Sequence, residues 1–203
     1  MLGLATCRFF PNKGGFGEVS IPHLGEDSAT WVYKVDIREF LCGVMLNISI
    51  LQVFMSALYE DLLGCDSVSK VGWLCPQEIR DANCLHNHAE ANEYIERSIR
   101  QCVRSGDKYI IAPYIEDVMK KLRGSGPRRA TLTQWKSVKC AQQHDGVACG
   151  YYVMRFMYDI ISSCTEFDDL EKIYNTPKEE SFTIEEINEV RDKFASFLTD
   201  SCL

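Results

Sequence analysis

Cys149 is the residue in this chain best placed to do chemistry. It stands in Gln142-Gln143-His144-Asp145-Gly146-Val147-Ala148-Cys149-Gly150, a polar, glycine-containing loop that runs directly into Tyr151-Tyr152-Val153-Met154-Arg155-Phe156. A cysteine attacks as the thiolate, and the N-terminus of a helix favours negative charge. Gln143, six positions before Cys149, carries a side-chain amide of the kind that donates to a developing oxyanion. The same residues also permit a plainer reading, a free core cysteine heading a buried helix, because unpaired Cys is among the most buried residue types. The Gln-x5-Cys-Gly spacing ahead of an aromatic-rich run favours the nucleophile.

A thiol nucleophile needs a base within about 2.6–3.2 Å of its proton, or one water away. The chain has four histidines. His144 is the one near Cys149 in sequence and is the candidate substitute base, although no acid is evident to fix its tautomer. His86 and His88 fall in Cys84-Leu85-His86-Asn87-His88, which lacks the paired spacing of a structural zinc site and reads as a polar loop. His23, after Ile21-Pro22, reads as a surface residue. Neither a metal nor a cofactor is expected.

The run from Tyr151 to Ile161 is apolar on nearly all sides apart from Arg155 and Asp159. It therefore predicts a helix buried in the core, with Gly146 and Gly150 relaxing the backbone around its start. Other elements follow from periodicity and caps. Trp31 to Val35 reads as a short strand. A helix starts near Asn47 or Ser49, where Ser49-x-x-Gln52 fits a capping box and Leu51, Phe54, Leu58 and Leu62 make one stripe. A helix spans about 89–104 with Ile95, Ile99, Cys102 and Val103 inward and Gly106 as its stop. Then come a strand over 109–112, a helix over 115–123 and a strand over 134–140. A last helix begins at Thr183 with the box Thr183-x-x-Glu186 and a buried face of Ile184, Ile187, Val190, Phe194, Phe197 and Leu198. Residues 1–30 read as a poorly structured leader and 31–203 as one domain. The fold class is α+β, helices around a small sheet.

The Gln143, Asp145-Gly146, Ala148-Cys149-Gly150 and Tyr151-Tyr152-Val153-Met154 pattern resembles the ubiquitin-like-protein (SUMO) protease family, the adenain-like cysteine peptidases. It looks most like the plant branch found in transposon-derived genes. The resemblance extends to Leu46–Phe54 with Leu58-Tyr59-Glu60 as the family's first helix. It also takes in Lys108–Tyr114 as the strand leading to the catalytic His-Trp, and Gln134–Cys140 as the strand before the Gln loop. It implies an adenain-like fold, Cys149 as nucleophile, Gln143 as oxyanion donor, and hydrolysis at the C-terminus of a SUMO-like modifier or its conjugates. Two departures stand out. Ala148 replaces the usual acidic residue, and Pro113-Tyr114 runs straight into Ile115-Glu116-Asp117-Val118 where the family has a His-bearing strand. No His lies between Tyr114 and Gln143. Strands typically need about 5–6 residues each, so the sheet is expected to be truncated and the domain incomplete between 114 and 115. Activity is accordingly expected to be lost or weak. The alternatives are a non-catalytic module that binds a ubiquitin-like modifier, and a non-functional truncated gene product.

Composition sets the outer limits. With 203 residues and 46% hydrophobic content, the chain suffices for one domain with a real core. A net charge of −7 argues against nucleic-acid binding. The charge is uneven: seven basic and no acidic residues lie between Lys120 and Lys139, which reads as a solvated helix face. The ten cysteines are scattered without a Cys-x-x-Cys, and Met1–Arg8 lacks the shape of a secretory signal, so a reducing, intracellular setting, nucleus or cytoplasm, is expected. Asn47, Ser49, Gln52 and Ser56 interrupt the most apolar stretch, Phe40 to Tyr59, and argue against a membrane span.

Overall fold

The computed structural model describes residues 16–24, 28–63, 71–79, 88–107, 109–113, 140–162 and 181–202. The expected helix over 115–123, the strand over 134–140 except its last residue, and the junction at 114–115 lie outside them. The fold is α+β, with six helices and two small sheets among the described residues. The described residues fall into two compact units, one within 16–63, 141–162 and 181–202, the other within 71–113 together with Cys140.

In the first unit, β1 (Phe16–Ser20) pairs antiparallel with β2 (Ala29–Tyr33), Phe16 opposite Tyr33 and Ser20 opposite Ala29. Part of the expected leader is thus a strand. Alternation explains it: Val19, Thr30 and Val32 are buried while Glu18, Trp31 and Tyr33 face out. The strand ends at Tyr33 rather than Val35, because helix α1 (Lys34–Cys42) begins there. Its third residue, Asp36, accepts the Tyr33 N–H at 2.8 Å, and Gly43, at φ 71, closes it. The Gly43 and Val44 amides bond Phe40 O and Glu39 O, both at 3.1 Å, a Schellman ending.

Helix α2 (Ile48–Leu63) follows. Its cap is Asn47, not the expected Ser49–Gln52 box. Asn47 Oδ1 accepts the Ser49 N–H at 3.0 Å, and Asn47 Nδ2 donates to the buried Asp36 at 2.9 Å. Gln52 instead accepts the Thr30 hydroxyl at 2.6 Å, tying β2 to α2. Every residue from Ile50 to Leu58 is buried, a helix enclosed on all sides rather than along one stripe.

Helices α5 (Cys149–Ser162) and α6 (Ile184–Cys202) pack on α2 and on each other. Phe194 of α6 meets Phe40 and Phe54 edge-on, with ring centroids 5.3 Å apart in both pairs. The capping box of α6 forms as expected: Thr183 N–H to Glu186 Oε2 at 2.9 Å, and Glu186 N–H to Thr183 Oγ1 at 3.2 Å. Val190, Phe194 and Leu198 are buried, Ile187 and Phe197 half-buried, but Ile184 is exposed. It sits in the first turn, beyond the surface that α5 and α2 cover.

In the second unit, β3 (Val71–Trp73) and β4 (Tyr109–Ile111) pair in parallel, Val71 opposite Tyr109. Parallel strands require a crossover, supplied by the short α3 (Pro76–Ile79) and by α4 (His88–Ser105). Leu74, Ile79, Ala91 and Ile95 form its core, with Ile99 and Ile110 packed against it. Gly106, at φ 81, ends α4 as expected. Val103, expected inward, is 68% exposed, and Cys102 takes the buried place. A Cβ at Gly72 would run into the Cys102 sulfur, so this glycine lets α4 lie close on β3. Among the described residues, the strands thus form two pairs, β1–β2 and β3–β4.

Candidate functional site

Helix α5 begins at Cys149, and the thiol is exposed. The first intrahelical bond runs from Tyr152 N–H to Ala148 O at 3.0 Å. Ahead of it, Asp145 Oδ1 accepts the Val147 and Ala148 amides at 2.9 and 2.7 Å. These bonds shape the last turn of the loop. The Ala148 amide, then that of Val147, holds the exposed Asp145 carboxyl below the usual range, and the neighbouring His144 adds to this. Asp145 is thus engaged with backbone and is turned to the helix head rather than serving His144 as an orienting acid.

Gly150 has a different role from the one expected. Among the described glycines only Gly43 and Gly106 have positive φ, so neither Gly146 nor Gly150 supplies unusual backbone freedom. Gly150 is buried, and a Cβ there would lie 2.5 Å from Leu46 Cβ. The glycine after the thiol lets the loop before α2 press on the head of α5. Helix α5 is also less enclosed than its apolar sequence implies. Gly150, Tyr151, Tyr152, Met154 and Met157 are buried, while Val153, Phe156, Ile160 and Ile161 are only half-buried.

Gln143 is exposed in an irregular stretch. The residue before it is anchored: Gln142 O accepts the Tyr152 hydroxyl at 3.4 Å and that of Ser181. His144 is exposed and lines a half-open cleft of about 330 Å³ with Asp145, Val147, Tyr151, Phe182 and Arg191. Neither Cys149 nor Gln143 lines it. The loop thus presents its histidine and aspartate to the cleft, with the thiol at the helix head outside its lining.

The wall opposite the loop is held by residues to which sequence reading gave no role. Tyr151 donates to Val44 O at 2.8 Å and Phe40 O at 3.2 Å. Arg191 donates to Leu41 O at 2.7 Å and Phe40 O at 3.3 Å, with its guanidinium 5.5 Å from the Tyr151 ring. Together they satisfy the open carbonyls at the end of α1, where cations are favoured. Their only sequence signal is Arg191 itself, one of two basic residues in a predominantly acidic helix. Arg155 joins α5 to α6 by donating to Glu186 O at 2.9 Å and pairing with Glu189 at 2.7 Å, while Asp159 of its own helix holds it at 2.8 Å.

Of the other described histidines, His23 belongs to the first unit and His88 to the second. His23 is no surface residue. It stacks on Tyr59 with ring centroids 5.2 Å apart, and burial pushes it down to about 4. His88 opens α4 in the second unit rather than lying in a loop, and His86 lies outside the described residues. Among the described residues, no group of three or more His, Cys, Asp or Glu side chains is arranged to hold a metal, and no helix is long and apolar enough to cross a membrane. Comparison with family models, curated proteins and solved structures yields no match to the chain.

Proposed function

We propose that the chain is a cysteine peptidase of the ubiquitin-like (SUMO) protease family, with an adenain-like fold and activity that is lost or weak. The observation that carries this reading is the exposed Cys149 at the first position of α5, behind a loop that Asp145 orders. In the reaction, the Cys149 thiolate attacks a peptide or isopeptide carbonyl at the C-terminus of a ubiquitin-like modifier. The amide of Gln143 donates to the oxyanion, the amine leaves with a proton taken from water, and a further water hydrolyses the acyl-enzyme to the carboxylate and the free thiol. Without a base this route keeps only what binding and the oxyanion donor supply. Cysteine tolerates that loss best, because a few per cent of an ordinary thiol is ionised at neutral pH.

A second reading, a binding module without chemistry, is favoured by one observation. Exposed apolar side chains, Val147 and Ile184, belong to the cleft lining, while Cys149 does not. The first reading is tested by limiting alkylation with iodoacetamide and mass spectrometry of all ten thiols. Cys149 should be labelled first. Labelling of Cys149 no faster than that of Cys42, also exposed, would remove the nucleophile from the account and leave the binding module.

A further inference from the structure

His23 sits where the β1–β2 hairpin meets α2. A single turn of 3₁₀ helix, Pro22–Leu24, carries it. Backbone bonds from Ile21 N–H to Ser28 O at 2.8 Å and from Leu24 N–H to Ile21 O at 2.9 Å fix that turn. The imidazole lies nearly parallel to the Tyr59 ring, at 19°, and its Nδ1 is 3.3 Å from Ser56 Oγ. Ser56 and Tyr59 are three residues apart and share a face of α2. Gln52, four residues before Ser56, holds Thr30 of β2 on that same face. Thr30–Gln52 and His23–Ser56 are thus polar ties between the hairpin and α2, set among the buried Val19, Ile21, Leu24 and Val32.

We propose that His23 is an acid-operated latch, whose protonation releases the β1–β2 hairpin from α2 while the α2–α5–α6 core stays folded. A cation in this position must be placed against an aromatic ring and a hydroxyl, away from water. Among the described residues, the titratable groups on the elements packed with it can be named. On α2 they are Tyr59 in the stack and Glu60, one turn beyond Ser56 on the same side. Glu18 of β1 and Tyr33 of β2 face outward. Glu26 and Asp27, which follow His23 in sequence, lie outside the described residues.

The sign follows from linkage. The ring titrates near 6.5 when free and at about 4 when docked, so the released hairpin binds the proton more tightly. Docking is at full strength above pH 6.5. It weakens as pH falls towards 4, by up to about 300-fold in the docked-to-released ratio, and then levels off. The two ties are local, whereas Phe40, Phe54 and Phe194 hold the helices together independently of the hairpin.

Hydrogen exchange read by mass spectrometry tests this, with labelling times scaled for the intrinsic pH dependence. Peptides covering 16–33 should lose protection steeply between pH 6.5 and 4.5, while peptides of α5 and α6 keep theirs. His23→Phe preserves the ring stack but takes no proton, and His23→Gln keeps a neutral polar group at the Ser56 hydroxyl. In whichever of the two variants is folded at pH 7, the fall should be absent. Equal loss of protection in the hairpin and the helices, or an unchanged fall in a folded variant, would overturn the latch.

Discussion

Replacing Gly150 with alanine should destabilise the protein, although the same change in an exposed helix would stabilise it. A helical Gly→Ala replacement ordinarily gains about 1 kcal/mol. At Gly150 the new Cβ would lie 2.5 Å from Leu46 Cβ and 2.8 Å from Leu46 Cδ2, against about 3.5–4.0 Å for a relaxed carbon contact. The Cδ2 contact can be relieved by a rotamer change. The Cβ contact cannot, because Leu46 Cβ is fixed to its backbone. Either the loop before α2 or the head of α5 must move, and with both Cβ atoms fixed to backbone the cost lies in the upper part of the overpacking range, about 2–3 kcal/mol. The net expectation is a loss of about 1–2 kcal/mol, read as a lower urea midpoint at unchanged slope. Gly146→Ala is the control. Its Cβ would meet nothing within 4 Å, so it should be neutral or slightly stabilising. Partner variants sharpen the test. Leu46→Ala keeps the offending Cβ and should not rescue Gly150→Ala, whereas Leu46→Gly removes it and should show a favourable coupling. A Gly150→Ala protein as stable as the parent would refute the close approach at the head of α5.

Asn47→Ala should lower stability by about 1–2 kcal/mol through loss of the α2 cap, and Asn47→Asp should cost more, because its charge would face the buried Asp36 now bonded at 2.9 Å; urea titration of both variants ranks them. Arg155→Ala should cost roughly 2 kcal/mol, the scale of hydrogen bonds to charged groups, discounted from a fully buried pair because Glu189 is 47% exposed; half of that loss should already be reached by Glu189→Gln, whose measured midpoint checks the link. His144→Ala should leave the rate of Cys149 alkylation nearly unchanged across pH 6–9, since Asp145 is bonded to backbone and does not orient the ring; a large fall would make His144 a working base.

Elements with strong local signals were legible in the sequence. Thr183 with Glu186, and Gly106 after the Ile95-x3-Ile99 stripe, specify helix ends by chemistry confined to a few residues, and both form. The head of α5 was legible in the same way, since a polar glycine loop meets an apolar run at Cys149. What sequence missed depends on partners distant in the chain. Ser49–Gln52 and Asn47 are competing caps, and the contest is decided by Asp36, which fixes the Asn47 amide. Helix α1 was hidden because Trp31–Val35 reads as one strand, while the turn at Tyr33 depends on the Asp36 carboxylate. Strand β3 has three residues, too few for a period, and exists through its parallel partner. Val103 and Ile184 continue apolar stripes at the last and first turns of their helices, past the surface that would cover them. At the candidate site, the roles of Gly150, Tyr151 and Arg191 rest on Leu46 and the end of α1, a neighbourhood that no local pattern encodes.

The central claim, Cys149 as the nucleophile of a ubiquitin-like-modifier peptidase, is tested most directly with a SUMO or ubiquitin carrying an electrophile in place of its C-terminal carboxylate. Such a trap needs a thiol and a bound modifier but no general base. The account predicts a slow covalent adduct mapped to Cys149 by mass spectrometry. It should be absent in Cys149→Ala and slowed in Gln143→Ala, alongside very weak turnover of the matching C-terminal reporter. An adduct spread over other cysteines, or none at all while iodoacetamide readily labels Cys149, would contradict it.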